Sequence, residues 1–570
     1  MSISSFRFAS GRRPLTAGLV AVLAIATGAT AAVAQQPSGA PAAPVAPITA
    51  AEIDGYLRFL SSDLLGGRAP ATPGGALTSA YIESQLRAFG LEPAAPDGSY
   101  LQAVPIDVVA ADSASIRVAA SGKATATLTQ PEQVVVWAGS ATPASAARGE
   151  LVFVGYGSTA PEYKWDDFKD VDVRGKILLV LVNDPPAPAA EPNLFGGKAM
   201  TYYGRWTYKF EEAERRGAAG MLIVHTAEQA GYPWHTVVGS WAKEQRMLPR
   251  PANAPAPLGV RGWITARSAN TMLTEAGLDL RALIERAASR DFRPVPTGIM
   301  MDIAFTNAVT RLESHNVIAK VTGSDPGLRD EYVAYSTHWD HLGVGPAVNG
   351  DSIYNGALDN ASGTADLLAV ARVAAGSPAP RRSLLFTFVT AEESGLLGSQ
   401  YFAENPSVPI ERIVANVNVD GGNLLGRTRD LIALGEGKST LGRSLATFVR
   451  PMQMRLSPEA RPEVGSFYRS DHFSFARAGV PSISIGAGVE YEGKPATWGK
   501  EQQDDYTANR YHQPSDGYRP DFDLAGAVQL SDILLGFGRA IADSAELPQW
   551  MPDAEFHAIR PAPRISMVPR

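Results

Sequence analysis

The sequence predicts an α/β protein: a mixed, mostly parallel central sheet flanked by helices, with a β-rich domain inserted into it. Three observations predict it. From about 307 to 545, short β-branched runs alternate with longer helical periods, the pattern of parallel strands joined by crossover helices. From about 128 to 300 the texture changes to short β-type runs with a single helix among them. At 570 residues and 45% hydrophobic content, the chain has apolar material for more than one core.

Residues 1–34 read as a secretory signal peptide. Arg7, Arg12 and Arg13 form a basic start with no acidic residue, an apolar run covers 17–31, and Ala32-Val33-Ala34 is a small-residue cleavage site. The Arg12-Arg13 pair leaves the export route open. No later stretch approaches ~20 uninterrupted apolar residues. The expectation is therefore an exported protein, periplasmic or extracellular, with no membrane span. Residues 35–49 form a Pro/Ala linker.

The first part of the main domain, 50–127, opens with two helical periods. One runs through Ile53, Tyr56, Leu57 and Leu60, the other through Tyr81, Ile82, Leu86 and Phe89. Between them, Leu64-Leu65-Gly66-Gly67-Arg68 with Pro70 and Pro73 reads as a loop. The inserted domain, 128–300, shows strands at 134–137, 151–156, 177–182 and 220–225, and a helix at 209–216 ended by Gly217. The main domain resumes over 301–545. Its strands read at 316–321, 331–337, 383–389, 413–419, 431–434 and 482–485, its helices at 363–375, 396–404, 441–449 and 524–544. The tail, 546–570, is Pro-rich.

Composition removes whole classes of function. The chain has no cysteine, so there is no disulfide framework, no thiolate-held zinc or iron–sulfur cluster and no cysteine nucleophile. A metal would have to be held by nitrogen and oxygen, with eight histidines available. The net charge of −7, with no basic cluster, argues against nucleic acid as a partner.

In open α/β sheets, sites form at the carboxyl ends of strands. His338, Asp340 and His341 follow the strand at 331–337, Glu392 and Glu393 the strand at 383–389, and Asp420 the strand at 413–419. Asp359 lies before the helix at 363, and His512 in a late loop. Singly, each has an ordinary reading: Asp359 as a helix cap, the Glu392-Glu393 pair as a complement to a helix dipole, a histidine as a hydrogen-bonded residue. Together they supply a sulfur-free ligand set suited to zinc, with cobalt or manganese as possible substitutes. Two such ions can be bridged by one carboxylate and can activate a water. A second, unligated carboxylate must then take the water's proton, a part that neighbouring glutamates can divide between them.

The ordered motifs His338-Trp-Asp340, Gly356-Ala-Leu-Asp359-Asn-Ala-Ser-Gly363, Ala391-Glu392-Glu393-Ser-Gly-Leu-Leu-Gly398-Ser399, Asn418-Val-Asp420 and Tyr511-His512 resemble the secreted di-zinc aminopeptidases of peptidase family M28. The resemblance covers 307–545. It implies two zinc ions per chain, one on His338 and Asp420, the other on Glu393 and His512, with Asp359 bridging both and a cis peptide bond after it. It further implies that Asp340 orients His338 through the other ring nitrogen and that Glu392 is the general base. Tyr511 would donate to the oxyanion. Arg469, in Tyr468-Arg469-Ser470-Asp471-His472-Phe473, would contact substrate or form an ion pair with an acid such as Asp471. His341 and His472 read as structural. The segment 128–300, with "GKILLV" and "EEAERRGAAGMLIV", is similar to a protease-associated domain.

The implied activity is removal of N-terminal residues from peptides with a free N-terminus. Two other readings stay open: a carboxypeptidase or dipeptidase of the same superfamily, and a non-catalytic binding protein on this fold. A glutaminyl-cyclase-like reaction is a weaker option. Preferred residue and oligomeric state are not legible in the sequence.

Overall fold

A computed structural model of the protein describes residues 45–559. The segment read as a signal peptide, most of the expected linker and the end of the tail lie outside the described residues. Strands of the first sheet are numbered below in chain order; those of the second are named by their residues.

Helix α1 (Ala50–Leu60) begins where the Thr49 hydroxyl accepts from the Glu52 N–H, and it buries Ile53, Leu57 and Leu60. Helix α2 (Pro73–Phe89) has proline at its first turn, Thr72 as cap and Gly90 in the left-handed region as its stop. Between them, Gly66 and Gly67 also take positive φ. A Cβ on Gly67 would lie 2.5 Å from the Tyr354 carbonyl oxygen, so only glycine permits this approach.

The first sheet starts with β1 (Leu101–Ala111). The chain then builds the second sheet, which includes helix α3 (Trp206–Arg215), and returns through β2 (Val295–Val321). There follow β3 (Tyr332–His338), helix α4 (Gly363–Gly376), β4 (Ser383–Val389), helix α5 (Leu397–Glu404), β5 (Ile413–Asn418) and β6 (Asp430–Leu434). Helix α6 (Thr440–Val449), β7 (Arg455–Ser457), β8 (Ser482–Ala487), helix α7 (Trp498–Asn509) and helix α8 (Ala525–Asp543) complete it. Spatially the order is β1-β2-β4-β3-β5-β8-β6-β7. The centre, β4-β3-β5-β8, is parallel, and antiparallel pairs flank it on both sides. Every residue of β3, β4 and β5 is buried, which is why apolar residues occupy both faces of these strands rather than alternating with exposed ones. Helices α1, α2, α4 and α8 share one core with one face of the sheet, while Phe402 of α5 and Phe475 pack on the other.

Strand β2 belongs to both sheets. Residues 307–317 pair with β1 and 317–321 with β4, whereas 299–304 pair with Arg117–Gly122 and 300–306 with Ala144–Phe153. Its first half alternates strictly: Thr297, Ile299, Met301, Ile303 and Phe305 are buried, with exposed or half-buried residues between. The second sheet continues from Ala144–Phe153 through Ile177–Leu181, Gly220–His225 and Val260–Thr265 to Val134–Ala138, parallel except at its last pair. Its strand Arg117–Gly122 precedes residue 128, where the sequence texture changes. The described part of the tail packs down: Trp550, Ala554 and Phe556 bury against Phe467, Tyr468 and Phe473.

Candidate metal centre

The carboxyl ends of β3, β4 and β5 lie side by side, and the chemistry gathers there. His338 is the last residue of β3 and is fully buried. Its Nε2 lies 3.1 Å from Asp420 Oδ1, just past β5, and 3.4 Å from Asp359 Oδ1. On the other side, His512 Nε2 lies 3.3 Å from Asp359 Oδ2 and 3.1 Å from Glu393 Oε2, just past β4. Asp359 therefore presents one oxygen to each histidine. The Asp359–Asn360 peptide is cis.

Asp359 is held by Asp516, whose two carboxylate oxygens accept from the Leu358 N–H at 3.0 Å and the Asp359 N–H at 3.1 Å. The Asn360 side chain ties the same loop to the other ligand-bearing segments. It donates to Thr337 and accepts from the N–H groups of Gly363 and Gly421.

Asp340 departs from its expected role. The partner of His338 Nδ1 is the Asp340 backbone carbonyl at 3.1 Å, while the carboxylate stands 3.8 Å away. The Asp340 carboxylate instead accepts from the Glu392 N–H at 3.1 Å. A side chain committed to the neighbouring loop leaves the orienting of the imidazole to the backbone.

Electrostatics follow from crowding. Burial pushes the Glu392 carboxyl well above the usual carboxylate range, with Asp420, Glu393 and Asp471 adding to it and His338 opposing. Burial opposes the charge of Glu393, yet His512 and His341 hold it down at about 2. His512 rises to about 10 against burial, through Glu393 and Asp359. Among the described residues no group donates to or accepts from the Glu392 side chain. Tyr511 is 48% exposed and stacks on His512, ring centroids 3.8 Å apart. Arg469 donates from Nε to the Val464 carbonyl at 3.1 Å and makes no ion pair with Asp471.

The residues present fit divalent metal. Ligand atoms of His338, Asp359 and Asp420 lie within 4.8 Å of one another, as do those of His341, Asp359 and Glu393. All are nitrogen or oxygen donors, and the two groups share Asp359.

Residues 316–537 match the model of peptidase family M28. This segment belongs to that family. The M28 segment contains every one of the candidate ligands. Among curated relatives, mouse aminopeptidase NAALADL1 is 36% identical over 132 residues, 22% of this chain and 16% of that protein. The probable lipoprotein aminopeptidase LpqL of Mycobacterium tuberculosis is 25% identical over 233 residues, 38% of this chain and 43% of that one. The chain thus spans less than half the length of these relatives. Among solved structures, an aminopeptidase from Aneurinibacillus sp. strain AM-1 aligns with a TM-score of 0.47 at 20% identity, over 87% of this chain and 94% of that one.

Three residues in and around the M28 segment escaped the sequence reading. His341, read as structural, places Nδ1 2.6 Å from Glu393 Oε1, on the oxygen that His512 does not face. Its spacing of three from His338 was the available signal. Asp516 has none, since it follows His512 in an unremarked turn. Arg68 lies far upstream in what reads as an ordinary glycine loop. It is fully buried beneath the ligand loops.

Proposed function

We propose that this protein is an exported, zinc-dependent aminopeptidase acting on peptides with a free N-terminus. The observation that carries this reading is the division of Asp359 between two histidines: Oδ1 faces His338 and Oδ2 faces His512, each histidine having a further carboxylate of its own. His338, Asp420 and Asp359 would hold one zinc ion, and His512, Glu393 and Asp359 the other. Bound zinc supplies Lewis acidity and a water nucleophilic at neutral pH.

Glu392 acts as general base. It lies among Asp420, Glu393, Asp471 and His338, close enough for their charges to act on it, and it carries no competing hydrogen bond on its side chain. It takes the proton of the attacking water and passes it to the leaving amine. Asp340 fixes its backbone. Tyr511, anchored by stacking on His512, donates to the developing oxyanion. The acidic cluster favours the cationic α-amine of a peptide.

We read the second sheet as a protease-associated domain restricting access to the cleft. In support, the Met200 N–H donates to the Pro462 carbonyl at 3.0 Å, and Arg477 pairs with Glu211 at 3.1 Å. Among the described residues no helix is long and apolar enough to cross a membrane. The test uses a dipeptide with a free C-terminus and its N-acetylated counterpart with the zinc-loaded chain. Cleavage of the free substrate alone is the expected result. Equal cleavage of both would favour a carboxypeptidase instead.

A further inference from the structure

The described part of the tail is tied down by polar contacts as well as by its aromatic residues. Its backbone pairs with the start of α6: the Thr440 N–H donates to the Gln549 carbonyl at 2.8 Å, and the Met551 N–H to the Lys438 carbonyl at 2.9 Å. Trp550 Nε1 donates to the Gly479 carbonyl at 2.9 Å. Glu555 then enters the interior, its side chain 6% exposed. Lys438 Nζ donates to both of its carboxylate oxygens, at 2.9 and 3.1 Å, and to the Tyr468 hydroxyl at 2.8 Å. That hydroxyl donates in turn to Glu555. Burial opposes the charge of Glu555, yet Lys438 and Tyr468 hold its carboxyl below the usual range. A pair this buried need not add net stability over an apolar substitute. What it does add is a fixed position for Tyr468.

From Tyr468 the contacts lead to Glu392. Phe467, Tyr468, Phe473, Trp550, Ala554 and Phe556 form one buried cluster, and Leu396 packs against it. Leu396 closes the turn that carries Glu392: its N–H and that of Gly395 donate to the Glu392 carbonyl, at 2.9 and 2.8 Å. The helix His472–Arg477 reaches the same turn by a second route. The Ser474 and Ser399 hydroxyls lie 2.9 Å apart, and Ser399 donates to the Leu396 carbonyl at 3.1 Å. The turn needs such support. Ala391 and Leu396 stand at φ 55° and 64°, in the left-handed region, without being glycine. Backbone of that kind persists where the surrounding packing fixes it.

We propose that the tail is a positioning element of the catalytic site: Glu555, through Tyr468 and the cluster around it, fixes the turn 391–396 and with it the Glu392 carboxylate beside the metal centre. Glu555 touches none of the candidate ligands, so it acts through the packing of the turn and not through its charge. This deepens the aminopeptidase reading and rests on it for the role of Glu392 as base.

The test follows turnover of an aminoacyl amide by the zinc-loaded full chain. Glu555→Leu should lower kcat roughly 10–100-fold, with KM within about two-fold and zinc content unchanged, the mark of a misplaced catalytic group. Glu555→Gln still accepts from Tyr468 and Lys438 and should recover most of the loss. Should Glu555→Leu not fold, the double variant Lys438→Met, Glu555→Leu removes the stranded charge and answers in its place. Hydrogen exchange of the 392–399 amides in the same proteins reads the turn without turnover. It should speed up at least about 10-fold in the leucine variants and slow again with glutamine. That exchange pattern in a chain whose wild type cleaves nothing would support the positioning and count against the aminopeptidase reading alone. Wild-type kcat and wild-type exchange of the turn in the leucine variants, whatever their urea midpoint, would overturn the proposal.

Discussion

Replacing Arg68 should loosen the whole ligand platform from below. Its Nε donates to the Trp339 carbonyl at 2.8 Å, Nη1 to those of Leu60 and Asn355 at 2.5 Å each, and Nη2 to that of Gly356 at 3.0 Å. Trp339 separates His338 from Asp340, and Gly356 begins the turn that leads to Asp359. One fully buried side chain therefore joins the end of α1 to the two loops that carry His338 and Asp359. Burial lowers its pKa to about 10, with Asp340, Asp516, Asp359 and Glu393 acting against the fall. Methionine at this position would leave four carbonyls without a donor, at about 1–3 kcal/mol each. Release of the buried charge offsets several kcal/mol of that, leaving a loss of about 4 kcal/mol. Lysine keeps the charge but has three donors on a single nitrogen and cannot reproduce the fork, so Arg68→Lys should cost about 1–3 kcal/mol. Urea denaturation measures both, read as a fall in midpoint at constant slope. Zinc affinity should fall in parallel, by roughly 10–100-fold, because the clamped carbonyls fix the ligand loops. An Arg68→Met protein within about 1 kcal/mol of wild type would refute the clamp.

Two further outcomes follow from the site and its surroundings. His341→Asn removes the 2.6 Å contact to Glu393 and should weaken zinc binding roughly 10–100-fold in competition with a chromogenic chelator, without unfolding the chain; unchanged affinity would mean that His341 does not orient Glu393. His472 is fully buried, and burial lowers its pKa from 6.5 to about 3 against an opposing hydrogen bond to the Phe467 backbone. The unfolded chain then binds a proton that the folded chain refuses. Its contribution is complete above pH 6.5 and is lost as pH falls toward about 3, by up to about 1.4 kcal/mol per pH unit. His472→Gln should flatten the urea midpoint between pH 6.5 and 4.5, and an equally steep acid limb would count against this assignment.

Much of the M28 fold was legible because its central strands are buried on both faces. The runs at 383–389 and 413–419 announce themselves as apolar, and the ligands sit just past them. Strand β2 was harder. Only Val317, Ile318 and Ala319 near its end form a short apolar run, paired with β4, while 306–315 carry mostly polar side chains and are held by backbone bonds to β1. Strand β1 was missed for a related reason, since Pro105 and Asp107 interrupt its pattern. At the site, strand-end positions gathered the histidines and carboxylates, and the family resemblance implied which five would be ligands and that Glu392 would be the base. What spacing could not show was direction. Asp340 turns its carboxylate to Glu392 instead of His338, and His341 turns toward Glu393. Arg68 and Asp516 act on the ligand loops from remote segments, through contacts set by tertiary packing alone.

The central claim, a metal-dependent peptidase with Glu392 as its base, is tested most directly by turnover of an aminoacyl amide by Glu392→Gln and wild-type chains at matched zinc content. The account predicts two zinc ions bound in both proteins, cleavage by the wild type that stops with chelator and returns with zinc, and a loss of at least about 100-fold in kcat for the variant. A zinc-loaded Glu392→Gln chain that turned over at the wild-type rate would contradict it.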